Sequence, residues 1–100
     1  MIRAEFNIPK GSFTIKGHSG SAESGHDIVC AAVSSAAYMA VNTITGILGA
    51  KVKADVRDGY MKITLCGDSK AAKDILRGLE LHVKELSKDY PDFIKIITEV

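Results

Sequence analysis

The chain contains no tryptophan, two prolines and only two cysteines, and just 6% of its residues are aromatic. Two distant thiols, Cys30 and Cys66, build neither a disulfide framework nor a zinc knuckle. The three histidines, His18, His26 and His82, have neither the helical i, i+4 pairing nor a cysteine partner at ligand spacing, so no metal site and no cofactor is expected. Charge of one sign is also missing: thirteen Lys and Arg against twelve Asp and Glu give a formal net charge of +1. That balance excludes an acidic tail and, taken over the whole chain, the basic stripe of a duplex-binding protein, so no direct nucleic-acid partner is expected. There are no low-complexity tracts or long repeats. Phosphate-loop glycine spacing and a Gly-x-Ser-x-Gly elbow are absent as well, the segment Ser21-Ala22-Glu23-Ser24-Gly25 having serine where the elbow needs its first glycine.

What is present is a single domain's worth of apolar residues, 46% of 100 positions. The opening Met1-Ile2-Arg3-Ala4-Glu5 alternates and carries a charge pair, unlike a secretory leader, and a reducing, cytoplasmic compartment is the expectation. Ile2, Ala4 and Phe6 alternate with Arg3, Glu5 and Asn7 in a first strand; Phe13, Ile15 and Gly17 share one face of a second, with Thr14, Lys16 and His18 on the other. Val52, Ala54 and Val56 predict a third strand, Asp58-Gly59 a tight hairpin, and Met61, Ile63 and Leu65 a fourth. Gly67-Asp68-Ser69 caps a helix whose Ala72, Ile75, Leu76, Leu79, Val83 and Leu86 keep the 3.6-residue period until Tyr90-Pro91, and Phe93 to Val100 closes as a strand. The order β-β-α-β-β-α-β implies an α+β two-layer sandwich, with a mostly antiparallel or mixed five-stranded sheet and two helices. The order of strands within the sheet cannot be read this way.

Between the second and third strands, Ile28 to Ala50 carries no charge at all. By count it spans a bilayer, but its alanines, hydroxyls, Asn42 and glycines gain too little from lipid, and no membrane partner is expected. A helix apolar or small on nearly all sides is a buried one. One layer of sheet cannot cover every side of it in so small a protein, so part of it is expected to meet a second copy of the chain, as a homodimer.

The chemistry concentrates at the start of this helix. Asp27 is placed as N-cap and Cys30 in the first turn, where unpaired N–H groups and the helix dipole favour a thiolate. His18 lies where the second strand enters the small-residue loop Ser19-Gly20-Ser21-Ala22-Glu23-Ser24-Gly25, which leads to Cys30. A glycine-containing loop lets strand end and helix start approach, making His18 the preferred base over His26. Ser34, one helical turn after Cys30, shares its face and either contacts substrate or thiolate or bonds back to the Cys30 carbonyl. The plainer reading of Cys30 is a small apolar residue, and of Asp27 a cap and nothing more.

The run Gly17-His18-Ser19-Gly20 … Gly25-His26-Asp27-Ile28-Val29-Cys30-Ala31-Ala32-Val33-Ser34 resembles the ribosomal-processing cysteine proteases of the Prp family. The resemblance rests on the Gly-His pair, the glycine-rich loop, Asp-Ile-Val-Cys-Ala, and the serine four residues on. It implies an α/β fold, a dimer, and an endopeptidase that removes the N-terminal extension of large-subunit ribosomal protein twenty-seven. Carried over, Cys30 is nucleophile, His18 base and then acid, Asp27 and Ser34 support, and Gly17 with Ser19 to Gly25 forms the substrate-binding loop. Ser21 and Ala22 depart from the family's usual loop, which bears on substrate preference. The competing class is a non-enzymatic ribosome-associated module that recognises RNA or a protein terminus.

Overall fold

The structure, a computed structural model, describes residues 1–17 and 24–98, with the side chains of the first helix described from residue 28 onward. Five strands form one mixed sheet: β1 (Ile2–Asn7), β2 (Ser12–Lys16), β3 (Val52–Arg57), β4 (Tyr60–Leu65) and β5 (Ile94–Thr98). Two helices, α1 (Ser24–Asn42) and α2 (Lys70–Asp89), complete the fold. The spatial order is β3-β4-β2-β1-β5, with β5 parallel to β1 and every other pair antiparallel. The expected two-layer α+β sandwich is what forms, and β2, the strand that leads toward His18, is its centre.

Register explains the core. Phe6 stands opposite Phe13 and Phe13 opposite Ile63, while Ile94 stands opposite Ile2, so odd-even parity sends all of them to the helix-covered face. The two phenylalanine rings stack with centroids 5.8 Å apart. From α1 a stripe of Val29, Val33, Ala37 and Ala40 closes over the sheet, and from α2 a stripe of Ala72, Leu76, Leu79 and Val83 does the same. The opposite face of the sheet is polar. Ser69 caps α2 as its position predicts, its hydroxyl accepting from the Ala72 N–H at 3.1 Å.

Several expectations need correction. α1 begins at Ser24, so Ser24 and Gly25 are helical and Asp27 lies inside the first turn instead of capping it. One glycine costs about 1 kcal/mol in a helix, a penalty that the packing of the apolar stripe which follows exceeds. α1 is covered along one stripe only, as expected of a helix that a single sheet layer cannot enclose, while Ile28 (62% exposed), Tyr38, Met39 (65%) and Ile47 (80%) face outward. By length and composition the segment Ile28–Ile47 could cross a membrane, but its buried stripe is the one that covers the sheet. The helix continues past Asn42 as a π-helical turn, Thr43–Ile47, in which Leu48 N–H donates to the Thr43 carbonyl at 3.0 Å; it ends at Gly49 (φ +68°). β3 alternates as predicted, yet Ala54 and Val56 are exposed because β3 is an edge strand that neither helix reaches. The last strand is shorter than expected, Ile94–Thr98, and residues 99–100 lie outside the described residues.

Gly17, just beyond β2, has φ +100°, and a Cβ there would stand 2.3 Å from the Met1 carbonyl oxygen. Its N–H donates to the Gly59 carbonyl at 2.9 Å, which ties the end of the central strand to the β3–β4 turn. Gly17→Ala is therefore expected to destabilise the fold by about 2 kcal/mol or more, a fall in Tm of roughly 10 °C. Calorimetry reads it directly, and an unchanged Tm would contradict the geometry.

On the polar face Arg3 Nε donates to Glu5 Oε2 at 2.6 Å, and Lys16 Nζ stands 3.7 Å from the same oxygen. The Arg3 hydrogen bond, aided by the charge of Lys16, holds the Glu5 carboxyl below its ordinary value of 4.5. A carboxyl with a depressed folded-state pKa adds stability that is complete above its unfolded value and disappears as pH falls through the folded one. Between pH 5 and pH 3, Glu5→Gln should therefore lose less stability than the parent, by under about 1 kcal/mol for so exposed a pair. Urea titrations across that range check it.

Candidate active site

Two helices over five strands leave the β3–β4 end of the sheet open beside α1, and a groove of about 290 Å³ occupies the gap. Cys30 and Ser34, one turn apart, stand on its helical wall with Ala37 and Tyr38 further along. Ile15 and Met61 form its floor from β2 and β4. The β3–β4 hairpin supplies the other side through Val56, Arg57, Asp58 and Tyr60. Gly17 also lines this groove, so the residue covalently joined to His18 and the thiol at position 30 open on the same space.

Each wall has a local cause. Cys30 follows the buried Val29 by one position, a step of about 100° around the helix, which brings it to the border of the core stripe. It is half-buried and makes no disulfide. Tyr38 follows Ser34 by four positions, which keeps it on the same wall. On the far side, Arg57 places its guanidinium 4.2 Å above the Tyr60 ring. Its Nε also stands 3.2 Å from Asp55 Oδ1. Hairpin turn, cation–π contact and ion pair together brace the rim. The helical wall thus presents a cysteine and a serine to Val56, Tyr60 and the charged Arg57 and Asp58, over an apolar floor, an arrangement suited to an extended chain.

Of the residues singled out in the sequence, the structure gathers Cys30, Ser34 and Gly17. His18, Ser19, Gly20, Ser21, Ala22 and Glu23 lie outside the described residues, as do the side chains of Ser24 and Asp27. Because α1 starts at Ser24, Cys30 belongs to its second turn, not its first. The N–H groups left unbonded by a helix are its first four, here residues 24–27, and the dipole's influence fades beyond that turn. The helix terminus is consequently a weaker source of thiolate stabilisation than the sequence suggested. The sequence reading missed Tyr38, although its spacing from Cys30 and Ser34 signalled it. It also missed Arg57 and Tyr60, which no spacing could place beside α1 without the strand order.

The sequence model of the family described as cysteine protease Prp matches residues 1–95. The ribosomal processing cysteine protease Prp of Bacillus subtilis (strain 168) is 29% identical over 96 residues, covering 89% of this chain and 86% of that one. Among solved structures, S. aureus Prp in complex with a covalently linked product peptide superposes with a TM-score of 0.88 at 24% identity, covering 99% of this chain and 100% of that one. The same protease with a substrate peptide gives 0.89 at 23% identity, with the same coverage. SMU.848 from Streptococcus mutans is 32% identical with a TM-score of 0.79, covering 99% and 96%. The chain belongs to the Prp family of cysteine proteases and is an enzyme, a peptidase.

Proposed function

We propose that this protease removes the N-terminal extension of large-subunit ribosomal protein twenty-seven, with Cys30 as nucleophile and His18 as its base. One observation carries the site assignment: Cys30 and Gly17, the neighbour of His18, open on one groove. The relative from Bacillus subtilis, named for ribosomal processing, supports the substrate class.

The Cys30 thiol loses its proton to His18, and the resulting thiolate attacks the scissile carbonyl. Collapse of the tetrahedral adduct breaks the C–N bond while His18 returns the proton to the departing amine. The acyl group is left as a thioester on Cys30. Water, deprotonated by His18, then attacks that thioester; the acid product leaves and the thiol is restored. Asp27 and Ser34 support the pair, and the segment from Gly17 to Gly25 closes over a peptide laid along the groove. A reducing, cytoplasmic setting keeps both thiols free.

The functional unit is a homodimer, through the outward face of α1. Ile28, Met39 and Ile47 are all more than half exposed on a helix without a charge between residues 28 and 50. Water-exposed apolar surface of this extent favours a partner. Sedimentation should report a dimer, and Met39→Glu with Ile47→Glu should shift it to monomer; a parent chain that sediments as a monomer at tens of micromolar would refute this.

Incubation with a ribosomal precursor carrying its extension, followed by mass spectrometry, tests the activity. Cys30→Ala, Cys30→Ser and His18→Ala should each lower cleavage by more than about 10³-fold. The serine variant fares badly because a hydroxyl is far harder to ionise than a thiol. Cleavage at the parental rate by Cys30→Ala would remove Cys30 from the mechanism.

A further inference from the structure

The near-neutral sum of charges conceals a strong segregation. Strand register places Arg57, Tyr60, Lys16, Arg3 and Lys95 in one row that crosses all five strands on the face away from the helices. With strands about 4.8 Å apart, the row is about 19 Å long. Lys53 and Lys62 share this face by the same parity. Six of the thirteen basic residues thus stand here against two of the twelve acidic ones, Glu5 and Asp55, among the described residues. The face carries a formal +4, and the remainder of the sequence is net negative.

We propose that this open sheet face is a binding surface for single-stranded RNA, reaching the Arg57–Tyr60 rim of the peptide groove at its β3–β4 end and extending away from it over Lys53, Lys62 and Lys95. Protein partners bury an apolar centre, whereas here Ile97 is the one aliphatic side chain that parity assigns to the face among the described residues. The rest is the six cations, the carboxylates of Glu5 and Asp55, the amide of Asn7, the hydroxyls of Ser12, Thr14 and Thr64, and the ring of Tyr60. An uncovered sheet face with an aromatic among cations is a surface on which phosphates are neutralised and bases stack. Glu5 and Asp55 pair with Arg3 and Arg57, which holds those guanidinium groups in place. Lys53, Lys62 and Lys95 form no ion pair with any described residue, although Asp55 stands opposite Lys62 in the register, so their ammonium groups are open to phosphate.

Fluorescence anisotropy of a labelled oligouridylate about twelve nucleotides long, titrated with the full-length protein, tests this. At about 50 mM salt the parent should bind with Kd below about 100 µM, and the logarithm of affinity should fall against that of salt with a slope near −3, at about −0.7 per phosphate neutralised. The triple variant Lys53→Glu, Lys62→Glu, Lys95→Glu should bind at least tenfold more weakly and flatten the slope by about 2. Its peptide cleavage should remain at the parental rate, which separates this surface from the proposed protease site. Should the reversed charges prevent folding, the triple glutamine variant gives the same comparison. The proposal is wrong if the parent does not bind, if the variants bind as the parent does, or if oligoglutamate of equal charge displaces the RNA as readily as unlabelled RNA, which would make this a face for acidic protein.

Discussion

A sheet of five strands is wider than two helices can cover. Strands about 4.8 Å apart and helices about 10 Å across leave β3 outside the helical layer. The fold resolves the mismatch at one end only. α2 lies toward β5, α1 lies beside it, and the shortfall collects along α1 opposite the β3–β4 hairpin. Cys30 opens on that shortfall, and so do the exposed edge and the aromatic rim. If the second helix were placed one strand over, the groove would close and the thiol would become part of the core.

The same geometry ties stability to function at Gly17. Central strand, hairpin turn and chain start meet there, through a hydrogen bond to Gly59 and a contact with the Met1 carbonyl that only glycine permits. This junction fixes where the chain leaves β2 beside the groove. The thiol, for its part, sits in the second turn of α1, where the terminus contributes little. On the proposed mechanism, the base therefore bears more of the activation than the position of Cys30 relative to Asp27 first suggested.

The two faces of the sheet have different tasks. The covered face is apolar and holds the core; the open face collects cations in register across strands that are distant in sequence. Net charge is a sum and carries no information on this arrangement. A protein with a formal charge of +1 presents +4 on one side, among the described residues, because parity, repeated over five strands, sorts the charges.

Periodicity was enough to read the element order, the α2 stripe from Ala72 to Val83, the Ser69 cap and the hairpin at Asp58-Gly59, since each depends on neighbours within a few residues. That Cys30 and Ser34 share one wall was legible for the same reason, the two being one turn apart along the chain. The start of α1 was not, because tertiary packing outweighed the poor helix propensity of Ser24 and Gly25. The partnership of α1 with Arg57 and Tyr60, and the basic row, depend on which strands lie side by side. Local sequence sets which face a strand residue occupies; only long-range pairing and helix placement decide what it stands next to.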